Sequence, residues 1–187
     1  MKNNKDHLNL LWEVEKFNSC ICFIDENKKK FLYKNIIEKS EILTQDLKPR
    51  SLIFVLANND IESLTGYMGF LRKGLVQVLL DPKINFGLLQ QLIQTYSPHY
   101  LFLPISRDES FHHYDLVSEL NNHKILKSNK INCYSINKNL ALLLTTSGST
   151  GSKKFVRISY KNIYENTKNI IKYLKIDRSH RTITTMP

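Results

Sequence analysis

The sequence holds only three cysteines among 187 residues. That is too few for the disulfide framework of small secreted domains, and it points to a reducing compartment. No run approaches the roughly 20 apolar residues that a membrane-spanning helix requires, which excludes a protein of that class. The start, Met1–Lys5 followed by a mixed run through Lys16, has basic residues. It lacks a continuous apolar core or a small-residue cleavage site, so no secretory signal is read and the cytoplasm is the expected location. Acidic side chains are scarce in one region only. Residues 124–187 carry 13 basic groups against Glu165 and Asp177, whereas residues 1–123 are nearly balanced, with 14 basic and 15 acidic groups. Such asymmetry suits nucleic acid, an anionic membrane surface or a phosphate-bearing small ligand. A Lys- and Asn-rich composition that scatters lysines over a solvated face is the plainer reading, and acidic partners in sequence outside this chain are a further one.

What is present suits a folded domain. The composition is 42% hydrophobic and 24% charged, too apolar and too mixed in charge for a disordered chain. A chain of this length buries roughly 70% of its unfolded surface. Cys20 and Cys22 lie on one side of a short apolar run, Ser19–Ile24, and are expected to be buried thiols rather than zinc ligands, since no second close pair accompanies them.

Along the chain, strand-like and helix-like patterns alternate. Asp25–Lys30 is a charged turn, and the spacing of apolar residues from Tyr33 to Leu47 is helical. Leu52–Leu56 and Val76–Leu80 are unbroken apolar runs, as expected of strands buried on both faces. Between them, Ile61, Leu64, Tyr67, Met68 and Leu71 keep a helical spacing after a cap at Asn58 or Asn59, and Gly74 stops the helix. Phe86–Tyr96 is amphipathic and ends before Pro98, and His99–Leu103 is a third strand. A short helix is expected near Tyr114–Leu120 and a strand at Ile131–Ile136. Ala141–Leu144 and Phe155–Ile158 read as strands. Ser159 caps a helix whose Ile163, Ile170, Ile171 and Leu174 are expected to face inward, and Thr182–Met186 begins a further strand. Such alternation predicts an α/β fold with a mostly parallel sheet and flanking helices. Pro187 follows a strand-like run without turn, cap or polar tail, so the domain is expected to be incomplete.

The sharpest feature is Thr145-Thr146-Ser147-Gly148-Ser149-Thr150-Gly151-Ser152-Lys153-Lys154. Its hydroxyls and backbone N–H groups can donate to phosphate oxygens, and Gly148 and Gly151 let the backbone come close. It follows an apolar strand, and open α/β sheets bind ligands at the carboxyl ends of their strands. A flexible Gly/Ser linker is disfavoured because apolar strands flank the segment closely. It is not a Walker loop, since Lys153, Lys154 and Phe155 stand where Gly-Lys-Ser/Thr is needed. Nor is it the G-x-G-x-x-G dinucleotide fingerprint. The pair His112-His113 reads as a solvated surface pair, Lys28-Lys29-Lys30 as a charged turn, and Trp12 and Phe17 as packing residues.

This segment resembles the signature of the AMP-forming adenylating enzymes, Thr-Ser-Gly-Ser/Thr-Thr-Gly-x-Pro-Lys-Gly, which Thr146–Phe155 matches at all but two specified positions. That family includes acyl-CoA synthetases, luciferases and the adenylation domains of peptide synthetases. Ser159-Tyr160-Lys161-Asn162-Ile163 is similar to the helix start that follows, and Leu47–Leu56 through Val76–Pro82 to the early strand–helix–strand block. The resemblance covers about Phe31–Pro187. It implies that a carboxylate attacks the α-phosphate of ATP, releasing pyrophosphate, and that a thiol of coenzyme A or a carrier protein then takes the acyl group. It also implies that Thr146, Ser147, Gly148, Ser149, Thr150 and Gly151 wrap the β- and γ-phosphates, that Lys154 opposes their charge, and that Mg²⁺ accompanies the nucleotide. Lys153 replaces the family's proline and Phe155 its last glycine. The first frees φ, and the second is expected to pack on the sheet.

The family's later motifs for adenine, ribose and metal, and its C-terminal catalytic lysine, are not in residues 1–187. These residues are therefore expected to be a partial AMP-binding domain that contains no catalytic residue and does not adenylate by itself. A non-catalytic nucleotide-binding remnant, or one half of a split enzyme with a separately encoded remainder, is the alternative. A basic nucleic-acid-binding protein ranks behind both, because no recognisable module for that function is present.

Overall fold

The computed structural model describes residues 13–107, 109–130, 134–145 and 155–183. After a 3-10 turn over Glu13–Phe17, strands β1 (Ile21–Ile24) and β2 (Lys30–Leu32) form an antiparallel ribbon. Asp25 accepts the Lys29 amide at 2.8 Å in the charged turn between them. A two-stranded ribbon covers little of itself, so Cys20 is exposed and Cys22 half-buried. This corrects the expectation of two buried thiols. Burial still raises the Cys22 thiol pKa, against a hydrogen bond from Tyr33 that lowers it.

The main sheet has seven strands in the order β6-β7-β5-β3-β4-β8-β9. Its four central strands, β5 (Tyr100–Pro104), β3 (Leu52–Leu56), β4 (Val76–Leu80) and β8 (Leu140–Thr145), run parallel. Antiparallel strands flank them: β7 (His123–Ser128) and β6 (Tyr114–Leu120) on one side, β9 (Phe155–Ser159) on the other. Every residue of β3 and β5 is buried, because helices cover both faces. On one face Phe54, Val78 and Leu101 pack with Leu89 and Leu92 of helix α3 (Phe86–Tyr96). On the other, Val55, Phe102 and Ile125 pack with Leu43 of α1 (Tyr33–Thr44) and Phe70 of α2 (Ile61–Lys73).

The helix ends follow local chemistry. The α2 cap is Asp60, whose carboxylate accepts the Ser63 amide at 2.8 Å, rather than Asn58 or Asn59. The charged acceptor sits directly against the first turn, where the helix dipole rewards it. Gly74 closes α2 at φ 81°, in the left-handed region that favours glycine. Within α2, Gly69 lets α1 approach closely: a Cβ there would stand 2.9 Å from Ser40 Cβ.

Three expectations are overturned. Tyr114–Leu120 is strand β6, not a helix; it pairs with β7 across Asn121-Asn122, with Asn121 at φ 51°. The pairing partner overrides a local pattern of mixed burial. Residues 134–137 carry no regular structure, and the rest of the expected strand at 131–136 lies outside the described residues. Helix α4 (Tyr160–Tyr173) forms behind its Ser159 cap, but none of its residues is buried, and Ile170, Ile171 and Leu174 are exposed. Residues 181–183 are irregular, and 184–187 lie outside the described residues, as does Trp12. Phe17 is exposed, and so are His112 and His113.

Candidate functional site

Strand β8 lies beside β4 with Leu144 opposite Leu79, so its carboxyl end reaches the carboxyl edge of the parallel strands. Antiparallel β9 returns from that edge, its first pair being Phe155 opposite Thr145. Thr145 and Phe155 thus both lie at the edge where open α/β sheets bind ligands. Thr146, Ser147, Gly148, Ser149, Thr150, Gly151 and Lys154 lie outside the described residues, as does Lys153. Phe155 packs as expected. Its ring meets Tyr96 of α3 edge to face, with centroids 5.0 Å apart, and it joins the core on that side.

Two further segments line the same edge. After β4, Asp81 folds a turn by accepting the Lys83 amide at 2.7 Å. Arg107, largely buried, pins that turn: Nη1 donates to the carbonyls of Pro82 and Ile84 at 2.8 and 3.0 Å. Its other nitrogens hold Glu109, Nη2 at 2.8 Å and Nε at 2.9 Å, in a two-point pair. Burial works to raise the Glu109 pKa, but Arg107, its own backbone amide and Lys124 together hold it below the usual carboxylate range.

After β3, the Asn58 amide donates to Ser63 Oγ at 2.9 Å. Behind Ser63 lies His123, fully buried and stacked on Phe102 with centroids 4.9 Å apart. Its Nδ1–H donates to Asn122 Oδ1 at 2.7 Å, leaving Nε2 to accept from the Ser63 hydroxyl at 3.5 Å. Desolvation lowers the His123 pKa, opposed by the charges of Asp60 and Glu62. These links give the segment after β3 a fixed position at the edge.

The opposite end of β8 is clamped. Arg50, at φ 59°, donates to the carbonyls of Gly74 at 3.3 Å, Leu140 at 3.1 Å and Asn137. Tyr160 Oη donates to the Leu71 carbonyl at 3.3 Å. The strand that delivers the hydroxyl- and glycine-rich segment is thus tied to the starts of β3 and β4. Beside this clamp, an open groove of about 620 Å³ lies between α3 and β9, with Leu143, Tyr96 and Arg157 in its wall. Sequence reading singled out neither Arg50, Arg107 nor His123. Arg50 and Arg107 reach carbonyls more than twenty residues away and His123 reaches Ser63, sixty residues away, so no local motif marks them.

No cluster of three or more metal-ligating side chains occurs among the described residues.

Comparison with known proteins gives a consistent result. The model of the AMP-binding enzyme family matches residues 32–187. Gramicidin S synthase 2 of Brevibacillus brevis is 26% identical over 165 residues, 82% of this chain and 4% of that protein. Cyclosporin synthetase of Tolypocladium inflatum is 27% identical over 150 residues, 74% of this chain and 1% of that protein. Among solved structures, O-succinylbenzoate coenzyme A synthetase of Bacillus subtilis, in complex with AMP, superimposes with a TM-score of 0.71 at 16% identity, over 95% of this chain and 49% of that one. ATP-bound MatB of Rhodopseudomonas palustris gives 0.67 at 15% identity, over 92% and 38%. The chain thus spans less than half the length of these solved relatives and a few per cent of the curated ones.

Proposed function

Because the chain belongs to the AMP-binding enzyme family, we propose that it supplies the phosphate-binding part of an ATP-dependent, AMP-forming carboxylate ligase. The observation that carries this reading is the segment Thr145–Lys154, rich in hydroxyls and glycine, set between β8 and β9 at the carboxyl edge of a parallel sheet. The reading is supported by two fold relatives that hold ATP and AMP. Residues 1–187 act as a partial AMP-binding domain, whose remaining catalytic groups come from elsewhere.

In this reaction a substrate carboxylate oxygen bonds to the α-phosphorus, and the bond from that phosphorus to the α,β-bridging oxygen breaks. Pyrophosphate leaves and an acyl-adenylate remains. A thiol, from coenzyme A or a carrier protein, then bonds to the acyl carbon and AMP departs. The contribution of this chain is to the leaving group. The hydroxyls of Thr146, Ser147, Ser149 and Thr150 donate to the β- and γ-phosphate oxygens, Gly148 and Gly151 admit the backbone, and Lys154 offsets the charge that develops on pyrophosphate. Arg107 and the Asn58–Ser63–His123 links keep the neighbouring segments of the edge in place.

Titration calorimetry with ATP tests this directly. The expected result is measurable binding that falls about tenfold or more in Lys154→Ala, the scale of one lost charge-assisted contact. Equal affinity in both proteins would overturn the assignment. The chain alone is proposed to bind without turning over, and carboxylate-dependent ATP–pyrophosphate exchange by the purified chain would refute that part.

A further inference from the structure

The ribbon of β1 and β2 gathers two thiols that the reaction above does not use. Ile21 pairs with Leu32 and Phe23 with Phe31, so Cys22 is the extra residue of a bulge in β1. Such bulges re-aim a side chain. Across the ribbon, the Tyr33 amide donates to the Cys20 carbonyl at 3.1 Å, which sets Cys20 opposite Tyr33. The Tyr33 hydroxyl hydrogen-bonds to the Cys22 thiol and lies within electrostatic reach of Cys20. Two sulfurs and one phenol therefore meet at one place, with the Phe17 ring beside Tyr33 at a centroid distance of 6.2 Å. The place is open to solvent, since Cys20 is exposed and Cys22 half-buried.

We propose that Cys20 and Cys22 form a binding site for a soft monovalent cation, Cu(I), held between their two thiolates. The donor set selects the ion. Zn²⁺ takes four nitrogen or sulfur ligands, and Mg²⁺ and Ca²⁺ take six or more oxygens. No group of even three His, Cys, Asp or Glu side chains is placed to hold a metal among the described residues. Cu(I) prefers soft thiolates and is satisfied by two of them. It binds without change of oxidation state, and the two thiol protons leave to water. The Tyr33 hydroxyl then donates to the Cys22 sulfur and orients it. Spacing disfavours a disulfide, the other chemistry open to paired thiols. Ile21 between them is part of strand β1, and side chains two residues apart on such backbone stand roughly 6–7 Å apart. A disulfide needs Cβ atoms about 3.8 Å apart, whereas an ion between the sulfurs spans the wider gap. Burial also favours the protonated Cys22 thiol, which slows its attack on an oxidant, while a bound cation displaces that proton. This inference does not depend on the reaction proposed above.

Anaerobic titration of the whole chain with Cu(I), in competition with the chelator bicinchoninate, tests it. The expected result is one Cu(I) per chain, with native mass spectrometry showing the ion on a single chain. The ion should slow alkylation of Cys20 and of Cys22 by iodoacetamide at least tenfold and leave that of Cys133, which lies outside the described residues, unchanged. Cys20→Ser and Cys22→Ser should each weaken binding at least a hundredfold, and Cys133→Ser should leave it within twofold. Zn²⁺ in tenfold excess should not displace the ion. Alkylation is read on the unaltered chain, so that arm stands whatever the serine variants do to folding. Full affinity in either Cys20→Ser or Cys22→Ser, loss of affinity in Cys133→Ser, displacement by Zn²⁺ or an ion shared between two chains would each overturn the proposal. So would the absence of binding against the chelator, or alkylation of Cys20 and Cys22 at the same rate with and without Cu(I).

Discussion

His123 shows how a single buried base ties the carboxyl edge to solution pH. In the neutral form both ring nitrogens are satisfied, one donating to Asn122 and one accepting from Ser63. A second ring proton would put a charge where water does not reach. The folded pKa is therefore below the ordinary value of 6.5. In the window between the two pKa values the unfolded chain binds the proton and the folded chain does not, so stability rises with pH there. This contribution is complete above about pH 6.5 and is lost as the pH falls from there toward the folded pKa, at no more than about 1.4 kcal/mol per pH unit. Urea unfolding from pH 7.5 to 5 should show the wild type losing stability more steeply than His123→Gln. Parallel curves would place the pH dependence elsewhere.

At the scale of elements, the contact of α1 with α2 rests on a missing side chain. A Cβ at Gly69 would press on Ser40 Cβ at 2.9 Å and on the Ser40 carbonyl at 3.1 Å, and a helix backbone does not swing away as a side-chain tip does. Gly69→Ala should therefore destabilise by about 1–3 kcal/mol despite the better helix propensity of alanine. A melting temperature unchanged or raised would show that the helices part freely. The run Leu52–Leu56 was legible as a strand because burial on both faces leaves no polar position to confuse it, and Ile61–Lys73 was legible because Gly74 ends its stripe. Tyr114–Leu120 was not legible. Its register comes from β7 across Asn121-Asn122, a long-range pairing that no local spacing encodes. The same holds for the edge. Residues 146–154 announced themselves by composition, whereas Arg107, which holds the turn after β4, and Arg50, which holds the start of β8, act through carbonyls far away in sequence. The inward-facing reading of α4 failed for a related reason: its stripe is real, but the described sheet ends at β9 and covers only its first part.

For the whole molecule the question is what the excess of positive charge in residues 124–187 is for. A formal charge of +10 will draw any polyanion, so binding to nucleic acid by itself would say little about function. The salt dependence separates the two uses of charge. A polyanion held by many lysines releases many counterions, and its affinity falls steeply with salt, by orders of magnitude between 50 and 200 mM when about six or more phosphates are contacted. ATP held by Lys154 with hydroxyl and backbone donors presents only a few charges, so its affinity should fall far less over the same range. The lysines should divide in the same way. Lys168→Ala with Lys172→Ala, both on exposed positions of α4, should weaken single-stranded DNA binding and flatten its salt slope while leaving ATP affinity unchanged. Lys154→Ala should do the reverse. Equal salt slopes for ATP and DNA, or a joint loss of both on removing Lys168 and Lys172, would mean that one diffuse positive surface binds both. The segment Thr145–Lys154 would then have no claim to a phosphate site of its own.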